Sequence, residues 1–300
     1  MKNESTASNR KQLQSDPGGS TAFIFAGGGS LGAVQVGMLR ALVQENICPD
    51  FLVGSSVGAL NAAFFALKPT LEGVVELANL WNSVRRSEVF PVHTINGIRA
   101  FFQKQAFLCD ASGLTRILAS KFPKTRFEDL SLHCTVVATE LYEGREVQIE
   151  EGSLQTALLA SVAIPVVFPP IEHNGSYLID GGISNNTPIS CAVERGAKRI
   201  IVFPTGLSCA LQRRPSSIIE ISLHTLNMLV ARRLIQDIQA YHLHTDIFVI
   251  PPLCPMEVNL FDFSHSTELI DRAELATQDW LQQPRHHHDL APPTLAPHHH

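Results

Sequence analysis

The sequence predicts an α/β domain with a mainly parallel central sheet flanked by helices, and three observations carry that expectation. Short apolar runs rich in β-branched residues alternate with longer stretches whose apolar residues recur at helical spacing. Two of the short runs pass directly into glycine-rich turns, Gly27-Gly28-Gly29-Ser30-Leu31-Gly32 and Gly54-Ser55-Ser56-Val57-Gly58, and each turn opens a helical pattern. Composition agrees: of 300 residues, 45% are hydrophobic and 17% charged, ample for a core and too apolar for a disordered chain.

Residues 1–20 are polar, lack periodicity and read as a flexible tail. The first strand covers 22–26, and the helix after its turn puts Val34, Met38, Ala41 and Leu42 on one side. A second strand, 51–53, leads into a helix carrying Leu60, Phe64, Phe65 and Leu67, which Pro69 ends. Residues 71–84 form an amphipathic helix with Trp81. In the mixed segment 89–110, Ile95, Ile98, Phe101, Phe102 and Phe107 suit either core or a substrate groove, with core favoured. Ser112 is positioned to cap a helix over 113–121. Strand 133–139 follows, with a hairpin partner at 146–150, a short helix at 154–161 and an apolar loop at 164–170. Strand 177–179 ends on Asp180-Gly181-Gly182, and 199–203 and 246–250 are further core strands. Long helices are expected over 217–243 and over 266–281, the latter with Ile270, Leu275 and Leu281 inward. The folded domain thus runs from 21 to 282, and 283–300 is a disordered tail rich in histidine and proline.

Composition also excludes. A net charge of -5 with no Lys/Arg stripe argues against nucleic acid as a partner. The N-terminus lacks the apolar region of a secretory signal, and no run of about 18 apolar residues marks a membrane span. A cytoplasmic protein is the expectation, with transient contact at a membrane surface left open. Six scattered cysteines, without a C-x-x-C pair, read as small core residues in a reducing compartment. The histidine clusters 286–288 and 298–300 have no fixed catalytic geometry, and no metal site is expected of them.

Three turns carry the chemistry. The first also fits G-x-G-x-x-G through Gly27, Gly29 and Gly32, which raises the dinucleotide-binding alternative. That fold needs an acid at the C-terminal end of the second strand, about 20 residues on. Asp50 has the separation but precedes strand 51–53, at its wrong end. The second turn sets Ser56 between Gly54 and Gly58, the G-x-S-x-G pattern of a nucleophile elbow, in which small flanking residues let the serine oxygen project clear of the backbone. The helix behind it brings positive partial charge to a developing oxyanion. The third places Asp180, followed by Gly181 and Gly182, at a strand end facing a ligand crevice. Asn185 and Asn186 read as turn residues that steady it. A Ser…Asp…His triad would require His224, His242, His244 or His265, but α/β-hydrolases place several strands before the elbow and here one precedes it.

Together GGGSLG, GSSVG and DGG, in that order, resemble the patatin-like phospholipase family. The runs ASVAIPVVFPP and NNTP around the third turn are also similar to family sequence, and the likeness covers most of residues 23–205. The resemblance implies a three-layer fold and a serine lipid acyl hydrolase with a Ser–Asp dyad, acting on a lipid or small ester without metal or cofactor. Ser56 would be the nucleophile, Asp180 its general base, and the N–H groups of Gly27, Gly28 and Gly29 the oxyanion hole. Many relatives carry Arg or Lys where this chain has Leu31, so phospholipid, lysophospholipid, neutral lipid and simple carboxylesters all stay admissible. Two rivals share the fold. An idle lipid-binding protein would have lost nucleophile or base, and neither is lost. An acyltransferase would pass the same acyl-enzyme to an alcohol.

Overall fold

The computed structural model describes residues 7–15, 18–90, 107–206, 218–254 and 260–284. Among these, eight strands form one sheet: β1 Thr21–Phe25, β2 Phe51–Ser55, β3 His133–Glu140, β4 Glu146–Ile149, β5 Ile171–His173, β6 Ser176–Asp180, β7 Arg199–Phe203 and β8 Asp246–Val249. Their order is β5-β6-β3-β2-β1-β7-β8, with β4 also paired to β3. The pairs β3–β2–β1–β7–β8 are parallel; β4, β5 and β6 join antiparallel. The sheet is therefore mainly parallel, as expected; the antiparallel β3–β4 pair is the expected hairpin, and the antiparallel β5 and β6 are the addition.

Alternation along the central strands sorts side chains onto two faces, because successive residues in a strand point oppositely. Phe23, Phe25, Leu52, Val136 and Phe203 join one core, covered by α2 (Gly32–Gln44), α3 (Val57–Leu67), α4 (Leu71–Ser83) and α11 (Ser266–Gln282). Ala22, Ile24, Val53, Ile200 and Val202 join the other, covered by α9 (Ile189–Glu194) and α10 (Ile218–Tyr241). Helix, sheet and helix make three layers. The remaining helices are α1 (Asn9–Gln14), α5 (Arg86–Val89), α6 (Ser112–Lys121), α7 (Leu154–Ser161) and α8 (Gly182–Asn185).

Several expectations are corrected. Residues 9–14 are not tail: α1 buries Leu13, Asn9 Nδ2 donates to the Trp280 carbonyl at 2.8 Å, and Arg199 donates to the Ser15 carbonyl at 2.8 Å. Ser112 does not cap its helix but is its first residue, held by the Asp110 side chain, which accepts the Ser112 N–H at 2.8 Å. Leu275 faces out, at 63% exposure, because α11 turns a single face to α2. Cys48 is exposed and Cys254 is disulfide-bonded, against the reading of six reduced core thiols. Ile95, Ile98, Phe101, Phe102 and both histidine clusters lie outside the described residues. Among those described, no helix is long and apolar enough to cross a membrane.

Candidate active site

The sheet register explains how two residues 124 positions apart meet. A strand has two edges. β4 pairs with Val136–Thr139 of β3 along one of them, so β2 and β6 must share the other. β2 ends with Ser55 opposite Val137, while antiparallel β6 ends with Asp180 opposite Ala138. Two strands running toward each other along one edge thus bring their C-terminal ends together at consecutive rungs. Ser56 Oγ donates to Asp180 Oδ2 at 2.7 Å.

Ser56 occupies φ 53°, ψ -130°, a conformation that costs a non-glycine residue about 1–3 kcal/mol and is found mainly at functional sites. Its surroundings hold it there. Ser161 Oγ accepts the Ser56 N–H at 2.9 Å and donates to the Val137 carbonyl at 2.6 Å, so one hydroxyl ties the elbow to β3. Gly58 is required because a Cβ there would land on the Phe25 carbonyl, where α3 runs against the end of β1. Gly54 and Gly181 likewise leave no room for a Cβ, against the backbones of Ala59 and Val137. The N-terminus of α3 begins directly after Ser56 and favours negative charge there.

Asp180 is 6% exposed. Desolvation raises its carboxyl pKa to about 6, against the opposing hydrogen bonds from Ser56 and from the Gly182 N–H, the latter 2.7 Å from Oδ1. A carboxylate with such a pKa is mostly ionised at neutral pH yet basic enough to take a proton, as a general base requires. Neither Ser56 nor Asp180 has a histidine partner among the described residues. His242 Nδ1 meets the Gln239 carbonyl and His265 sits between Asp262 and Glu268, so they form no triad with the pair.

The first glycine turn approaches this pair: a Cβ built on Gly27 would stand 3.0 Å from Ser56 Cβ. Of the three N–H groups expected to form an oxyanion hole, Gly27 is already committed, donating to the Asn186 carbonyl at 3.1 Å. The N–H groups of Gly28 and Gly29 donate to nothing among the described residues. Gly29 needs to be glycine, with φ 58° and the Leu260 carbonyl where a Cβ would go. Asn186, read from sequence as a support for Asp180, instead grips Gly27, and Asn185 turns to Glu146 and Ser190. Asp50 accepts the Thr21 N–H at 2.7 Å, at the N-terminal end of the sheet and far from the turn it would serve in a dinucleotide site.

Ser56 and Gly29 border an apolar cleft. Val57, Leu60 and Phe64 of α3 form one wall and Leu77, Leu80 and Trp81 of α4 another. Phe90 and Phe168 stack at 5.4 Å and close it with Phe263. The polar lining is sparse. Asn61 is satisfied internally: it donates to the Gly32 carbonyl at 2.9 Å and to Gln35 Oε1 at 2.8 Å, and it accepts from Trp81 Nε1 at 2.9 Å. Among the described residues no group of acids, histidines and cysteines is placed to hold a metal ion.

The helix–sheet–helix sandwich with a mainly parallel sheet is the fold class that the sequence called for, and within it Ser56, Asp180 and the first glycine turn stand side by side. The patatin-like phospholipase family matches residues 23–193, and the chain belongs to it. It is 29% identical over 192 residues to rat patatin-like phospholipase domain-containing protein 7, covering 63% of this chain and 14% of that protein. Human patatin-like phospholipase domain-containing protein 6 is 28% identical over the same length, again 63% and 14%. An uncharacterized NTE family protein of Mycobacterium tuberculosis is 27% identical over 177 residues, 58% of this chain and 29% of the relative. The chain thus spans under a third of the length of these relatives. Among solved structures, VipD from Legionella pneumophila overlays with a TM-score of 0.47 at 12% identity, covering 87% of this chain and 66% of that one. Human GIVD cytosolic phospholipase A2 overlays at 0.43 and 13% identity, covering 91% and 61%.

Proposed function

We propose that this chain is a serine acyl hydrolase that cleaves fatty-acyl esters through Ser56 and Asp180. The observation that carries the reading is the 2.7 Å hydrogen bond from Ser56 to a buried carboxylate at the border of an apolar cleft. Family membership supports a lipid substrate. In the first half-reaction Ser56 Oγ attacks the ester carbonyl carbon while Asp180 takes its proton. The oxyanion so formed lies toward the Gly28 and Gly29 N–H groups and the start of α3. Collapse breaks the bond to the alcohol oxygen, which leaves with the proton from Asp180. Water then gives a proton to Asp180 and attacks the acyl-enzyme; Ser56 recovers the proton as the fatty acid departs. The acyl chain occupies the cleft, whose apolar walls stabilise it by about 0.8 kcal/mol for each methylene removed from water.

Leu31 is buried in the core, so the turn offers no cation at that position, and the proposal extends to phospholipid, lysophospholipid and neutral esters alike. The cytoplasmic setting, with transient contact at a lipid surface, belongs to the same proposal. A p-nitrophenyl ester series of rising chain length tests it. Turnover should increase with acyl length and vanish in Ser56→Ala and Asp180→Asn while both stay folded. Activity surviving in folded Ser56→Ala would contradict the reading. Adding an alcohol acceptor separates hydrolysis from acyl transfer: the expected product is free fatty acid.

A further inference from the structure

A peptide group is planar and trans, so its C=O and N–H point in opposite directions and turn as one unit. The unit joining Gly27 to Gly28 ends in the Gly27 carbonyl on one side and in the Gly28 N–H, a candidate oxyanion donor, on the other. Its carbonyl end is held from outside the turn. Thr205 Oγ1 donates to it at 2.7 Å and Asn186 Nδ2 at 3.3 Å. Thr205 is 0% exposed, two residues past the end of β7 and beyond the stretch that the family matches. The threonine also sits where a Cβ on Gly28 would go. Gly28 has φ 164°, an extended backbone open to any residue, so this contact and not the dihedral angle is what demands glycine. The preceding unit is fixed as firmly: Gln35 Nε2 donates to the Ala26 carbonyl at 2.8 Å and Asn186 accepts the Gly27 N–H.

We propose that Thr205 is a positioning residue for the oxyanion hole: by holding the Gly27 carbonyl, its hydroxyl aims the Gly28 N–H at the oxygen of the tetrahedral intermediate. Donation to the carbonyl also polarises the amide, which makes its N–H the stronger donor. Thr205 acts through the peptide and not on the substrate. The proposal rests on the hydrolase reading above.

The test pairs each p-nitrophenyl ester with its thionoester. Sulfur is a poor hydrogen-bond acceptor, so a thionoester draws less on the hole, and the ester-to-thionoester rate ratio reports how well the hole is aimed. Thr205→Val keeps the shape and removes the donor; Thr205→Ser keeps the donor. Thr205→Val should lower kcat for the ester on the order of 10- to 100-fold, leave KM near its wild-type value and lower the ratio. Thr205→Ser should restore both. Thr205→Ala serves the same purpose should the valine variant fail to fold. Equal losses on ester and thionoester, a loss confined to KM, or a folded valine variant with wild-type kcat would each overturn the proposal. Fluorophosphonate labelling of the wild type runs alongside. A wild type that neither labels nor turns over overturns the hydrolase reading and this proposal with it; a labelled wild type with an unchanged ratio in Thr205→Val overturns this proposal alone.

Discussion

Ser56 is strained and Asp180 is buried, and both conditions cost stability at the point where the two side chains meet. The sign for Asp180 follows from its raised pKa. Between the ordinary value of 3.8 and about 6 the folded state holds a proton that the unfolded state has released. Stability therefore falls as pH rises through that window, and the full penalty, on the order of 3 kcal/mol, is present above it. Asp180→Asn should accordingly be inactive yet more stable than wild type at pH 7–8, with the difference closing toward pH 4; denaturation midpoints across that range check it. The rate has the opposite dependence, because only the ionised carboxylate accepts a proton. Log kcat/KM should climb with pH and level off above about 6. Gly28→Ala should abolish turnover, since its methyl meets Thr205 and moves the turn. Ser56, Asp180 and the glycines are legible in the sequence because each sits in a local pattern of three to six residues. The partners of Ser161, Asn186 and Thr205 are not: they lie 105, 159 and 178 positions away, and neither the residue type nor the short run around it gives a sign of them.

At the scale of elements, the site depends on helices pressed against strand ends. Gly58→Ala forces a methyl onto the Phe25 carbonyl and should cost about 1–3 kcal/mol of stability, read as a lower denaturation midpoint, together with a loss of turnover because α3 carries the elbow. Strands and helices along the chain were readable from their spacing: β1, β2, β3, β7 and β8 all lie where short apolar runs placed them. Spacing alone does not tell that β6 runs antiparallel to β3 and shares an edge with β2. That pairing joins residues far apart in sequence, and it is what brings Asp180 to Ser56. The cap of α6 escaped for a smaller reason, since Asp110 and Ser112 are both good capping residues and two positions apart.

For the whole molecule, the N-terminal segment is the clearest departure. Polar composition suggested a tail, yet Leu13 is buried, and Ser15 supplies acceptors to Arg199, itself 4% exposed at the start of β7. Deleting residues 1–15 should cost about 3 kcal/mol or more, from the lost apolar burial and from the acceptors withdrawn from a buried guanidinium. The deletion should leave Ser56 reactive at temperatures where the shortened chain stays folded, which active-site labelling checks. A single leucine in a polar stretch carries too little pattern to announce such a clamp.

The proposed nucleophile is Ser56, set at the elbow and paired to Asp180. Treating the folded protein with a fluorophosphonate and mapping the modified peptide tests it most directly. One covalent adduct is expected, on Ser56, formed more slowly as pH falls below about 6 and absent in Asp180→Asn. An adduct on another residue, or labelling of Ser56 at full rate without the Asp180 carboxylate, would contradict it.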